Sequence, residues 1–316
     1  MKAKTLTAFI GTIVGGAVFL LAFGARTHDF AVGNPPSDTV HAMNELLSNL
    51  PTPTPIETLE PEITAKGAYS IFIPAGNTEN QKVLFGKNEL QPLPIASIAK
   101  LLTAVVAIEQ YPMEAPVVIS KEAVETKETA GQLKEGDVLT VEGLLYPLLI
   151  ESSNDAATAL SEIMGEEQFV SQMNLKAQAL NLSSAYFMNP SGLDPETQDT
   201  VPNTASAKDI AALSQYILKT HPKIFDILSY RIFVLRTSHG TLHHTMYTTN
   251  ELLSFEGWPV RIIGGKTGLT PLAKGNLILV LEAPQNKGYI INIVLGSDKR
   301  FEDMKALTDW VLFKIQ

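Results

Sequence analysis

The chain contains no cysteine, which excludes disulfides, thiolate metal sites and a lipid-modified N-terminal cysteine. Basic residues are in deficit: 24 Lys and Arg stand against 33 Asp and Glu, a net charge of −9. With no basic run interleaved with aromatics, that balance argues against a nucleic-acid partner. No internal repeat stands out, and no His-Asp pair is arranged as an obvious activating couple for a serine. Of the six histidines, His239, His243 and His244 lie close together. No carboxylate at ligand spacing accompanies them, so they read as partly exposed histidines on a hairpin rather than as a metal site. Neither a metal nor a cofactor is expected. What is abundant is apolar residue, 45% against 18% charged over 316 residues, enough for one sizeable folded domain with appendages.

The appendage is at the N-terminus. Lys2 and Lys4 precede an uncharged, largely apolar stretch from Thr5 to Ala25 that ends at Arg26. That pattern is a positively charged start followed by a segment about long enough to cross a bilayer. Ala22-Phe23-Gly24 offers a small-x-small cleavage site, so residues 1–28 read as either a cleaved signal peptide or an uncleaved anchor, the length tilting toward the anchor. Lysines before the span place the long domain after it outside the cytoplasm, in the periplasm or on the outer face of the cytoplasmic membrane. Residues 29–61, with Pro51-Thr52-Pro53-Thr54-Pro55, read as an extended Pro/Thr-rich linker. The folded domain is expected over 62–316.

Within it, Ala68–Ile73 and Lys82–Phe85 flank a turn-rich stretch and predict a hairpin. Residues from about Ser97 to Thr220 read as mainly helical, with helices over Glu166–Ala179 and Ala207–Leu218. Strands return at Arg231–Arg236, after the turn Ser238-His239-Gly240, at Val260–Thr267, and as a pair at Leu277–Leu281 and Tyr289–Leu295. A helix from Phe301 to Phe313 comes last, Leu307 and Trp310 on its apolar face. Strands at both ends enclosing a helical middle predict an α+β fold with a largely antiparallel sheet.

Three short motifs carry chemistry. In Ser97-Ile98-Ala99-Lys100 the serine and lysine are three apart at a predicted helix start, Ser97–Glu109. That spacing puts an amine within reach of a hydroxyl where free N–H groups favour developing negative charge. In Ser152-Ser153-Asn154 a polar cluster interrupts two apolar segments, and Ser152 and Asn154 can face one cleft if the link is extended. Ser, Asn and Asp are also good helix caps, and Asp155 reads as no more than that. In Lys266-Thr267-Gly268, on a predicted strand, an ammonium and a hydroxyl stand beside a glycine bare enough for a ligand backbone to lie against the strand edge.

In the order SxxK, SxN, KTG, the three motifs resemble the penicillin-recognising serine enzymes, and most closely the low-molecular-weight D-alanyl-D-alanine carboxypeptidases. Asn189-Pro190-Ser191-Gly192-Leu193, Ser206-Ala207-Lys208-Asp209 and Asn250-Glu251-Leu252-Leu253 add to the likeness, which runs from about Thr64 onward. The resemblance implies a β-lactamase/DD-peptidase-like fold with the site in a cleft between the sheet and a helical subdomain. It implies Ser97 as nucleophile, Lys100 as base and Ser152 as proton relay. Asn154, Lys266, Thr267, Gly268 and Leu269 would bind a peptidoglycan stem peptide ending in D-Ala-D-Ala, with Ser97 and Leu269 N–H groups as oxyanion hole. β-Lactams would act as covalent inhibitors.

Ala99 and Ser153 depart from the family pattern without removing a reactive atom, and no counterpart is expected for the extra β-domain and C-terminal anchor of many relatives. Arg300 sits near the end of the last strand, where the family often carries an arginine near the carboxylate site, but it reads better as a surface or C-terminal-helix arginine. A D-alanyl-D-alanine endopeptidase remains open. A β-lactamase is disfavoured because no ExxLN-type segment lies between SxN and KTG, and an inactive wall-binding homologue is disfavoured because every expected reactive residue is present.

Overall fold

The computed structural model describes residues 60–76, 81–126, 132–197 and 199–315. The expected leader or anchor at 1–28, and nearly all of the linker at 29–61, lie outside the described residues. Among the described residues no helix is long and apolar enough to cross a membrane.

Along the chain come β1 (Gly67–Pro74), β2 (Lys82–Lys87), β3 (Leu93–Pro94), a 3-10 turn (Ala96–Ala99), α1 (Lys100–Gln110), β4 (Pro116–Val118), α2 (Lys121–Val124) and β5 (Val138–Thr140). Next are α3 (Val141–Leu149), α4 (Asn154–Glu162), α5 (Glu166–Ala179), β6 (Thr204–Ala205), α6 (Ala207–Thr220) and α7 (Lys223–Leu228). The last part holds β7 (Ile232–Arg236), β8 (Leu242–Tyr247), β9 (Ile262–Thr270), β10 (Lys274–Glu282), β11 (Gly288–Ser297) and α8 (Arg300–Lys314).

The main sheet is antiparallel throughout, in the order β2-β1-β11-β10-β9. Its first and last strands in sequence are therefore neighbours, and β9, which carries Lys266-Thr267-Gly268, is left at the edge. Alternation along each strand explains how the sheet is covered on both sides. Leu277, Leu279, Leu281, Ile290 and Val294 face Met304, Leu307 and Val311 of α8. Ile278, Val280, Ile291, Ile293 and Leu295 join the opposite core, shared with the helical part. Each such buried side chain stabilises the fold by ~1.5–3 kcal/mol.

α1 runs through the centre of that helical part, and every residue from Lys100 to Ala107 is buried. A helix enclosed on all sides needs an apolar sequence all round, and Leu101-Leu102-Thr103-Ala104-Val105-Val106-Ala107 supplies it. The only charge it brings inside is Lys100. The helical stretch also contains two short ladders, β4 with β5 and β3 with β6. At two or three residues each, they are too short for a period-2 pattern to show in sequence.

Candidate active site

Ser97 lies in the 3-10 turn, one step before α1, and Lys100 is the first residue of that helix. The predicted single helix thus begins as a tighter turn, and the three-residue spacing still brings Lys100 Nζ to 3.0 Å from Ser97 Oγ. Lys100 Nζ also donates to Asn154 Oδ1 at 2.8 Å and to the Ser191 carbonyl. An ammonium has three hydrogens for these three oxygens. A neutral amine keeps two N–H bonds, to Asn154 and Ser191, and turns its lone pair toward the serine hydroxyl.

The Ser152-Ser153-Asn154 link is not extended. Ser152 occupies the left-handed region at φ 66°, a conformation that costs a non-glycine residue of order 1–3 kcal/mol and persists only where its surroundings enforce it. Ser153 then caps α4: its Oγ accepts from Ala156 N–H at 3.1 Å, while its own N–H donates to the Pro147 carbonyl at 2.9 Å. This turn sends Asn154 to Lys100 and leaves Ser152 Oγ to accept from Lys266 Nζ at 2.8 Å. The two residues therefore reach different lysines.

Lys266 is 1% exposed and also donates to the Thr267 carbonyl at 2.9 Å. Thr267 shares a 2.5 Å hydroxyl contact with Thr249, a residue the motifs did not single out. Leu269 is 62% exposed on the outer edge strand. The space beside Gly268 is filled by protein: a Cβ there would lie 2.8 Å from the Ile95 carbonyl oxygen and 3.2 Å from Ala96 Cβ. The glycine is required because the serine-bearing turn packs directly on β9.

That turn is gripped from the other side by residues 189–193. A Cβ on Gly192, whose φ is +84°, would lie 2.1 Å from the Ala96 carbonyl oxygen and 2.8 Å from Ser97 N. Asn189 Oδ1 accepts from Gly192 N–H, Asn203 brackets Asn189, and Thr103 Oγ1 donates to the Pro190 carbonyl. Asp194 then accepts from Thr270 Oγ1 at 2.7 Å and from Leu272 N–H at 3.0 Å. One loop thereby binds the turn carrying Ser97 to the end of the strand carrying Lys266.

Burial first, and the positive Lys266 second, hold Lys100 well below its ordinary value. Burial first, then Arg300, push Lys266 down to about 7. Arg300 is consequently not a remote surface arginine. It opens α8, its side chain packs where a Gly275 Cβ would be, and its Nε is buried with no hydrogen-bond partner among the described residues. Gly275 pairs with Leu269 across the ladder. In a chain of net negative charge, Arg300 and Lys266 bring basic side chains together beside Ser152, an arrangement suited to an anionic ligand. The missed contributors, Ser191 O, Gly192 and Thr249, act by backbone geometry or through tertiary approach, and only the Asn189–Leu193 run gave a local sign of it.

His243 and His244 lie on the β7–β8 hairpin as expected, but their side chains are only 6% and 11% exposed. His239, at the turn, is exposed. Among the described residues no group of three or more His, Asp or Glu is placed to hold a metal.

Comparison with known proteins agrees on one family. Residues 56–299 match the sequence model of the D-alanyl-D-alanine carboxypeptidase family. The chain is 30% identical over 241 residues to D-alanyl-D-alanine carboxypeptidase DacF of Bacillus subtilis, covering 73% of this chain and 58% of the relative. It is 26% identical over 258 residues to the D-alanyl-D-alanine endopeptidase of Escherichia coli, covering 80% of this chain and 78% of the relative. It thus spans little more than half the length of the Bacillus relative and most of the endopeptidase. Among solved structures it resembles the Streptomyces K15 DD-transpeptidase, with a TM-score of 0.69, 25% identity, 81% of this chain and 100% of that one covered. A D-alanyl-D-alanine carboxypeptidase from Mycobacterium tuberculosis aligns with a TM-score of 0.68 at 25% identity, over 79% of this chain and 92% of that one.

Proposed function

The chain belongs to the D-alanyl-D-alanine carboxypeptidase family, and on that footing we propose that it removes the terminal D-alanine from peptidoglycan stem peptides through an acyl-enzyme on Ser97. The observation that carries the reading is the buried Lys100 amine 3.0 Å from the Ser97 hydroxyl. A serine hydroxyl is a weak nucleophile unless a base takes its proton, and a lysine serves as base only when its charged form is disfavoured. Burial and Lys266 provide that here.

Ser97 Oγ attacks the carbonyl between the two D-alanines as its proton passes to Lys100. The oxyanion is met by the N–H groups of Ser97 and Leu269. Ser152, held at Lys266, passes its hydroxyl proton to the leaving amine and regains one from the protonated Lys100, which returns Lys100 to its neutral form, and Asn154 binds the substrate backbone. Lys266, Thr267, Gly268 and Leu269 receive the C-terminal residue with its carboxylate, while Arg300 adds positive charge behind Lys266. Water then attacks the ester, which releases the shortened peptide and frees Ser97. Penicillins, which acylate the same serine and leave slowly, would inhibit. In this reading residues 62–316 are the catalytic domain, 29–61 a linker, and 1–28 the leader or anchor that sets it outside the cytoplasm.

A second reading, cleavage of D-alanyl cross-links, is suggested by the likeness to the Escherichia coli D-alanyl-D-alanine endopeptidase, 26% identical over 80% of this chain. Product analysis decides between them. Incubated with defined muropeptides, the protein should release free D-alanine from pentapeptide monomers. Cleavage of cross-linked dimers alone would give the assignment to the endopeptidase, and no cleavage of either would contradict both.

A further inference from the structure

The segment just before Ser152 is held by side chains that the acyl-transfer scheme does not use. Asp137 Oδ2 lies 2.7 Å from His243 Nε2, and His243 Nδ1 lies 2.6 Å from His244 Nδ1. His244 Nε2 in turn lies 3.1 Å and 3.3 Å from the two oxygens of Glu151. These four groups form one continuous chain from the segment leading into β5, through β8, to the residue preceding Ser152. Consecutive residues of a strand normally point to opposite faces. Here the β7–β8 ladder slips between Leu235 and Arg236: Leu235 pairs with His244, Arg236 with Leu242, and His243 has no partner in the register. Such a bulge re-aims a side chain, and it is what turns both imidazoles inward. Backbone bonds reinforce the join, from Ser238 N–H to the Val138 carbonyl and from Thr249 N–H to the Ile150 carbonyl.

We propose that His243 and His244 are positioning residues for Ser152: with Asp137 and Glu151 they form a latch, closed by a single proton shared between the two rings, that fixes Glu151 and thereby the strained serine beside it. This rests on the reading of Ser152 as proton relay. Two contacts require an Nε2–H donating to a carboxylate, and the contact between the rings requires one Nδ1–H facing one lone pair. Three protons on four ring nitrogens satisfy all of it, so the pair carries one positive charge between two negative carboxylates. A fourth proton would oppose two N–H groups across the ring contact. Loss of the shared proton would oppose two lone pairs, or make one ring abandon its carboxylate. Either change opens the latch. A metal does not fit between these atoms, because two nitrogens bound tetrahedrally at ~2.0–2.1 Å to zinc stand about 3.3 Å apart.

The other groups around the pair are accounted for. Asp137 Oδ2 also accepts from Lys134 N–H, the β7 residue opposite His244 is the apolar Leu235, and Arg236 donates to the Gly240 carbonyl. Asp155 lies beyond Glu151, and burial with the Glu151 charge raises its carboxyl to about 6. Lys266 stands on the far side of Ser152.

The test is the rate of acylation of the full chain by a fluorescent penicillin, from pH 5 to pH 9, for wild type, His243→Gln, His244→Gln and Glu151→Gln. Near pH 7 each variant is expected to be ~10–100-fold slower, the scale of a catalytic group displaced by about 1 Å. Its pH profile should also differ in shape from that of wild type, because the proton shared between the rings is no longer coupled to Ser152. The double variant Glu151→Gln with His244→Gln should be no slower than His244→Gln alone, since the two act through one contact. Unchanged rates, or rates lowered by one constant factor at every pH, would overturn the latch. If the histidine variants do not fold, Glu151→Gln, which keeps its size but removes the negative charge facing the protonated pair, decides the matter by the same criterion. Failure of wild type to label at Ser97 would instead overturn the acyl-transfer reading and this inference with it.

Discussion

Replacing Lys100 with methionine should slow acylation of Ser97 by penicillin on the order of 10³-fold, the range over which a general base contributes. Methionine approximates the length of the lysine stem and is at home in the apolar surroundings of α1, so the protein should still fold. Its effect on stability has two parts. The Asn154 Oδ1 and Ser191 carbonyl lose their shared donor, a cost of ~1–3 kcal/mol that does not vary with pH. The second part does vary. Lys100 is held well below its ordinary value of 10.5 when folded, so the unfolded chain binds the extra proton first as pH falls. Wild-type stability from this group therefore declines as pH drops from about 10.5 toward the folded value. The variant escapes that decline. Its Tm relative to wild type should be higher at pH 5 than at pH 9, while its acylation stays slow at both. A Lys100→Met protein that acylates at the wild-type rate would remove the lysine from the base role.

Gly192→Ala should be nearly as damaging, although residue 192 carries no reactive atom. Its φ of +84° is unfavourable for alanine, and the new Cβ would sit 2.1 Å from the Ala96 carbonyl oxygen. Relief requires either the loop at 189–193 or the turn at 96–99 to move. Asn189, Asn203 and Thr103 pin the loop, while Gly268 and Ile95 pack the turn against β9. The strain thus reaches Ser97. We expect a loss of ~2–5 kcal/mol of stability, as for other forced overpacking and backbone conflicts, together with ~10²-fold slower acylation from the displaced nucleophile. Unchanged melting and unchanged acylation would show that this contact does not hold the site. A drop in Tm with full acylation would confine its role to stability.

How much of this was visible in sequence differs by kind of feature. The longer elements were, because their burial periods are sustained: Glu166–Ala179 is a helix over the predicted span, and β10 and β11 pair across the predicted turn. The motif spacings were, since three residues along a helical turn set Ser97 against Lys100 whether that turn is 3-10 or α. What sequence could not show was geometry created by approach. Ser152 reaches Lys266 because its backbone turns left-handed, where an extended link was the condition under which Ser152 and Asn154 could share one cleft. Gly268 is needed for the turn that packs on it, where a ligand had seemed the reason. Arg300 reads as a surface residue until the ladder places Gly275 opposite Leu269. The paired imidazoles depend on a strand bulge, and nothing in His243-His244 as a dipeptide announces that both rings will face inward toward two carboxylates distant in sequence.

The most direct measurement is the mass of the intact protein after reaction with benzylpenicillin, followed by peptide mapping. Wild type should gain one penicilloyl group, located on Ser97, and Ser97→Ala should gain none. An adduct mapped to another residue, or equal modification of both proteins, would contradict the account at its centre.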